Sequence, residues 1–418
     1  MLLFAFLPEI VSFWLLIVAT VQRFEIGQWM VAAQLGLALL LFALRPLSAA
    51  QTALRWWPLL LAPILCLLST LWSSAPQETL RYAAQLLFSA FLGVHLARLM
   101  TPARFLAVLL LAMFVFCTLC VIDGRQGPAA EGMVLIGLTG SKNQLGFAAV
   151  FLLLAGIAKL ISPGVSVGMR WIALLSLPLA IYLLAGSHAA TAVLMGAAGV
   201  LILLALRFGE RLPPNGRLAT IIGALLVLAP LTALTPEAVE FVNRFVFETL
   251  NKDPTLTGRT ILWARADELI AQRPIVGWGY QAIWMGDSFE TIGLKRLTGM
   301  TDGRVFHFHH QFRQIGVDIG WAGMIAFTGA LLAAGLSGIR QVLLTPHPAT
   351  SFFFVLFALM VVRAFTDVIM SPFSVHTVLF FASCTYAFWQ PARAANEAQA
   401  RAESMWRLGP MAPAPLRR

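Results

Sequence analysis

The chain has 418 residues, 59% of them hydrophobic and only 11% charged, which excludes an ordinary water-soluble globule: one core cannot hide that much apolar surface. Lipid has to serve as part of its solvent. The formal net charge of +10 raises nucleic acid as a partner, but the basic residues are spread over many short loops, so no nucleic acid is expected.

Apolar runs of about 17 to 25 residues can cross roughly 30 Å of hydrocarbon as helices. They fall at 3–21, 27–44, 57–73, 82–98, 104–122, 145–161, 169–186, 189–206, 218–235, 319–338, 350–370 and 374–391. The expected fold is therefore all-α, a polytopic membrane protein of about twelve transmembrane helices with one long periplasmic loop region. The first run has no basic residue before it, carries Glu9 and shows no small-residue cleavage site, so it reads as a retained helix and not a removed signal peptide. Cys66, Cys117, Cys120 and Cys384 all fall inside these runs. The CxxC spacing of Cys117 and Cys120 then reads as small packing residues, and no disulfide framework is indicated.

With twelve spans, alternate loops can be compared. One set, with the C-terminal tail, holds fifteen Lys and Arg, among them Arg45, Arg55, Arg98, Arg207 and Arg340; the opposite short segments hold five, Arg23, Arg81, Arg125, Lys142 and Arg363. Basic loops stay in the cytoplasm, which places both termini there and the long segment 236–318 on the far side of the membrane. The chain divides into helices one to nine (1–235), a periplasmic region carrying the active site (236–318), helices ten to twelve (319–391) and a basic cytoplasmic tail (392–418) that faces membrane lipids.

Three pieces of external sequence carry chemistry. GLTGSKNQLG at 137–146 sets flexible backbone, Lys142 and Asn143 at the mouth of a helix, where backbone N–H groups favour anions; it lacks the Walker A pattern, so ATP is not expected. AGSHAAT at 185–191 puts Ser187 and His188 at an external turn. The long segment contains LTGRTILWARADELIAQRPIVGWGY at 256–280, which reads as a helix starting near Thr257 or Thr260 and stopping before Pro274. Trp278, Tyr280 and Trp284 after it suit the membrane interface. Arg259 and Arg265, six apart, do not share a face of that helix, so a ligand common to both meets Arg259 at the helix entrance.

HFHHQFRQIG at 307–316 clusters three of the seven histidines. His307 and His309 alternate as on a strand while His310 faces elsewhere, and no HExxH or CxxC partner exists, although Asp302 and Asp318 are near in sequence; no metal is expected. A neutral imidazole suits a different task, taking a proton from a hydroxyl nucleophile at neutral pH. Arg363 and Asp367, four apart near the end of the eleventh run, read as a local ion pair.

Taken in order, TGSKNQLG, TGRTILW, RPIVGWGY and the run from His309 to Asp318, Gly320 and Gly323 resemble the O-antigen ligase and polymerase superfamily of bacterial envelope proteins. The resemblance covers most of the chain. There are departures: His310 stands where Asn is usual, Arg313 replaces Leu before Gln314, and Ser187-His188 replaces Ser-Arg. The resemblance implies transfer of a glycan from undecaprenyl diphosphate to an acceptor hydroxyl on the periplasmic face, with no cofactor. It implies His309 or His310 as base, with Arg259, Arg265, Lys142, Asn143 and His188 binding the diphosphate. The acceptor expected is a sugar of lipid A-core; a second lipid-linked repeat and a protein Ser or Thr remain open. A lipid-linked glycan transporter is the rival from another class, but transporters place ionisable groups near the midplane and these spans are nearly free of charge.

Overall fold

The structure, a computed structural model, describes residues 6–21, 24–129, 132–232, 257–286, 288–298 and 306–390. Much of the first part of the long segment, Asp302 and the tail 392–418 lie outside the described residues. In chain order the helices are α1 (Leu7–Val18), α2 (Phe24–Leu44), α3 (Pro46–Trp56), α4 (Leu61–Leu68), α5 (Pro76–Leu99), α6 (Pro102–Asp123), α7 (Lys142–Leu160), α8 (Val167–Ser187), α9 (Ala190–Gly209), α10 (Pro214–Thr232), α11 (Thr257–Gln272), α12 (Ala282–Met285), α13 (Phe289–Thr298), α14 (Gln311–Leu344), α15 (Pro348–Arg363) and α16 (Val375–Ala387). One short hairpin, Gln126–Ala129 with Gly132–Leu135, interrupts an otherwise helical chain and was not legible in its sequence.

Local chemistry explains many of the ends. Proline occupies the first turn of α3, α5, α6 and α15, where its missing N–H costs nothing and its fixed φ suits a helix start. Thr101 caps α6 by accepting the Arg104 N–H, and Gly124 in the left-handed region ends it.

Each apolar run overlaps a helix within the described residues, several of them only in part, and this is a multi-pass membrane protein. Among the described residues six helices are long and apolar enough to cross a membrane, or seven if Ala32–Leu44 and Pro46–Trp56, bent by 97°, count as one span. Leu7–Val18, Leu61–Leu71, Pro348–Arg363 and Val375–Ala387 are shorter. α15 and α16 are nonetheless almost wholly buried, packed against α5, α7, α9 and α14. They stop short because residues 364–374 between them fold into the end of the bundle as irregular backbone. Such backbone survives at depth only where protein groups satisfy it. Gln311 does so here, its N–H donating to Ala364 O (2.7 Å) and its Oε1 accepting from the N–H groups of Ile369 (2.8 Å) and Met370 (2.9 Å).

The described part of the long segment, from residue 257 on, carries a second, smaller core. Leu262, Ala266 and Leu269 of α11 bury against Ile283, Trp284, Leu294 and Phe308, separate from the main core. It is joined to the bundle where α14 breaks, at Ile319 and Gly320. There RPIVGWGY docks by backbone alone: Trp278 and Gly279 N–H donate to Val317 O and Asp318 O (both 2.9 Å), and Trp321 N–H donates to Pro274 O (2.7 Å). The Asp318 carboxylate accepts from Gln281 N–H (3.1 Å) and from Gln314 Nε2 (2.9 Å), so it pins this junction.

Gly320 has φ +62°, and a Cβ there would lie 2.4 Å from the carbonyl of Ile275. Gly320→Ala is therefore expected to cost about 1–3 kcal/mol. Thermal unfolding in detergent should show a lower midpoint, whereas Gly329→Ala on the same helix, with nothing within 4 Å of its Cβ, should not lower it.

Candidate active site

Residues 306–310 reach the bundle as irregular backbone that bends at His309, held from below. Phe308 is buried against Trp284 at 4.8 Å between ring centres, its carbonyl accepts from Trp263 Nε1 (2.9 Å), and its N–H donates to Gln314 Oε1 (3.1 Å). With Phe308 fixed inward, His307 and His309 project together, their ring centres 4.3 Å apart. His309 sits at φ +51°, a conformation that non-glycine residues seldom hold and that concentrates at functional positions.

The two imidazoles face one carboxylate. Asp367 Oδ1 lies 3.7 Å from His307 Nε2 and 3.6 Å from His309 Nδ1, while its Oδ2 takes a 2.7 Å bond from Arg363. The 3.6 Å separation is beyond hydrogen-bond range, and His309 Nδ1 has no hydrogen-bond partner among the described residues. A slight approach would close that bond, and catalytic hydrogen bonds commonly tighten only with substrate in place. In that arrangement Asp367 would face Nδ1 and leave Nε2 on the other side of the ring. The ion pair expected of Arg363 and Asp367 is present, but it is no isolated feature: it forms the floor of the histidine site.

His310 has a different role. Its side chain caps α14, Nδ1 accepting from Arg313 N–H (3.4 Å), and its ring packs edge-on against Trp263 (5.5 Å) and Phe365 (5.9 Å). Burial pushes its imidazole down from 6.5 to about 4, with Arg313 adding to the effect and Asp267 opposing it. Burial also brings His307 to about 4, against the pull of Asp367. Both rings are neutral at pH 7. Arg313 forms a two-pronged pair with Asp267 (2.9 and 3.2 Å) and lies over Trp263 (5.0 Å), tying α11 to α14.

Of the expected anion-binding residues, the fold gathers some and separates one. Arg259, in the first turn of α11, donates to Thr366 O (3.1 Å), one residue from Asp367. Arg265 pairs instead with Glu268 at 2.6 Å. The Arg363 guanidinium lies 3.6 Å over the ring of Phe147 on α7, and Asn143 stands one turn earlier on the same face, next to Lys142 at the helix start. Gly146 lets the turn of His188, itself at φ +48°, lie against that first part of α7, since a Cβ at Gly146 would be 2.8 Å from Ala189 Cβ. The starts of α7, α14 and α16 and the end of α15 thus meet at one end of the bundle. Sequence reasoning missed Asp367 and Arg363 as site residues, although ionisable groups within an apolar run were the available signal. His376, in the run 374–391 and buried on α16 with its ring edge-on to Phe151 at 5.4 Å, carried the same signal.

His307, His309 and Asp367 offer ligand atoms within 4.8 Å of one another, so the fold supplies the third ligand that the spacing alone did not. Two histidines and a carboxylate can hold a transition metal. Here, however, the carboxylate is already neutralised by Arg363, and Arg259 stands alongside, so a cation would meet two guanidinium groups. The donor set fits a proton-transfer site better.

A helical bundle with histidine, carboxylate and arginine gathered at one end defines a multi-pass membrane protein with a polar side-chain cluster at that end. Residues 171–328 match the family model for O-antigen ligase. The exopolysaccharide production protein ExoQ of Rhizobium meliloti (strain 1021) is 30% identical over 332 residues, 76% of this chain and 74% of that protein. The chain belongs to the O-antigen ligase family, a family of membrane glycan ligases and polymerases. The family match spans Arg259 and His309 and stops before Arg363 and Asp367.

His310→Asn should keep the helix cap, because an Asn side chain accepts the same N–H, whereas His310→Ala should lose about 1 kcal/mol of stability in thermal unfolding. The two depressed imidazoles also set a pH dependence. Between pH 4 and 6.5 the unfolded chain holds more protons at His307 and His310 than the folded one, so stability falls on acidification through that window. The unfolding midpoint should drop between pH 6.5 and 4, and less steeply in His310→Asn.

Proposed function

We propose that the chain transfers a glycan from a polyprenyl diphosphate carrier to an acceptor sugar hydroxyl at the periplasmic face of the bacterial inner membrane, without metal or nucleotide. The observation that carries this reading is His309 set over Asp367 with Arg259 and Arg363 beside it. The acceptor hydroxyl gives its proton to His309 Nε2 as its oxygen attacks the anomeric carbon of the donor. The bond from that carbon to the diphosphate oxygen breaks, and the electron pair leaves with the diphosphate. Asp367 offsets the imidazolium that forms, as a carboxylate behind a catalytic histidine does. Arg259, with Lys142, Asn143 and His188 on the adjoining turns, receives the diphosphate and the charge that grows on it. Arg265 is left to its pair with Glu268, and His310 to its capping role. An already activated donor accounts for the absence of any nucleotide motif. In this orientation the termini are cytoplasmic and 236–318 is periplasmic.

Two acceptors divide the reading. A single long external segment suits lipid A-core, completing lipopolysaccharide. The relative's role in exopolysaccharide production favours a sugar of a growing lipid-linked chain, and that acceptor is the one we favour. Purified protein supplied with a lipid-linked glycan should lengthen it; transfer only to added lipid A-core would select the ligase reading instead, and transfer to a pilin-like protein would displace both.

His309→Ala is expected to lower the transfer rate by about 10² to 10⁴-fold while the unfolding midpoint holds. Near-full activity in that variant rejects His309 as base. Arg259→Ala should raise the KM for the lipid-linked donor, or lower kcat, without changing the acceptor KM. Treatment with a chelator should leave the rate unchanged; a loss restored by zinc or magnesium would return His307, His309 and Asp367 to the role of metal ligands.

A further inference from the structure

At the end of the bundle opposite the histidines, the chain turns by 97° between α2 and α3, so that Pro46–Trp56 lies across the helix ends. This crossing helix is fastened from beneath: Thr52 is buried, 2.9 Å from His95 Nδ1, and accepts from Arg98 (3.1 Å). Its other side is apolar, with Leu47 and Leu54 each 79% exposed. α3 thus sits as an interfacial helix, its leucines in hydrocarbon and its arginines at headgroup level.

Two cavities adjoin at its end. One, about 290 Å³, is lined by Gln51, Leu54, Arg55 and Arg98. The other, about 530 Å³, is an apolar groove between the start of α4 and the middle of α14, with Trp56, Leu61, Ile325 and Gly329 in its walls. Arg55 lines both. At its far side the groove shares Phe388 with a third cavity, of about 520 Å³, that contains Arg340. An apolar channel between guanidinium groups is complementary to one class of molecule, an amphiphile with an anionic head.

We infer that this groove is a binding site for an anionic phospholipid, the phosphate held by Arg55 and Arg98 and an acyl chain laid along α14 over Gly329. Guanidinium groups grip phosphate through paired N–H donors, and the chain buries CH₂ groups where no side chain fills the space. A soluble anion would leave the apolar groove unused. The chain's own end, 391–418, carries five arginines and two glutamates, the wrong sign to meet Arg55. The site lies across the bundle from the histidine cluster and is independent of glycan transfer.

The test uses the full-length protein, stripped of lipid in a neutral detergent and offered phosphatidylglycerol or phosphatidylcholine at equal mole ratio, with bound lipid counted by native mass spectrometry. Phosphatidylglycerol should be retained over phosphatidylcholine. Arg55→Ala should lower that retention about fivefold, the factor equivalent to roughly 1 kcal/mol for one basic residue at a lipid surface. Gly329→Trp should lower it as well by filling the groove, and a Cβ at Gly329 meets nothing within 4 Å, so the variant can fold. Both variants should keep the lipid-free unfolding midpoint and the transfer activity of the parent. Equal retention of the two lipids overturns the inference, since it marks ordinary boundary lipid. So does retention unchanged in both variants, or no retention by the parent, as when the chain's own end fills the groove.

Discussion

A guanidinium and a carboxylate at the end of an apolar helix can stay charged only as a pair. Arg363 is 3% exposed and 2.7 Å from the Asp367 carboxylate, and removing either partner would leave the other charge uncompensated in largely apolar surroundings. The pair sits where α15 gives way to irregular backbone, and the surrounding structure is arranged to hold it. Phe147 of α7 lies under the guanidinium, His307 and His309 stand over the carboxylate, and Gln311 ties the following loop to the start of α14. Its net charge is near zero, so it gives the site polarity without repelling an anion.

What sits above that pair belongs to a different structural unit. The segment that follows residue 256 has its own core, and the position of His309 relative to Asp367 depends on how that core is seated. The seat is the break in α14, where the backbone of RPIVGWGY closes hydrogen bonds that the helix leaves open. Glycines at 277 and 320 make the approach possible, because side chains there would meet the opposing backbone. Phe308, anchored between the two units, then turns the adjacent imidazoles toward the carboxylate. A chain of backbone contacts thus sets a side-chain geometry, which suits chemistry that depends on orientation and fixed charge.

The two ends of the bundle divide their work by charge. At one end Arg363 is paired with Asp367 and lies on the ring of Phe147, Arg259 bonds a carbonyl, and the histidines stand beside them. At the other, Arg55, Arg98 and Arg340 line the cavities around the crossing helix and the apolar groove, which is the arrangement we infer to hold lipid. Membership in a family of glycan ligases and polymerases agrees with the first end and does not bear on the second.

Much of the helical plan was legible in the sequence, because apolar period, Pro in first turns and Gly at ends are local signals: all twelve runs overlap helices, and the helix expected from Thr257 toward Pro274 runs from Thr257 to Gln272. The cluster at 307–310 was equally visible as an unusual concentration of imidazole. What the sequence could not decide was convergence. Nothing local links His309 to Asp367, separates the capping His310 from its neighbour, or turns Arg265 toward Glu268 while Arg259 turns inward. Those outcomes depend on how α14 breaks and how the external core docks there, and such contacts between distant segments arise only when the whole chain packs.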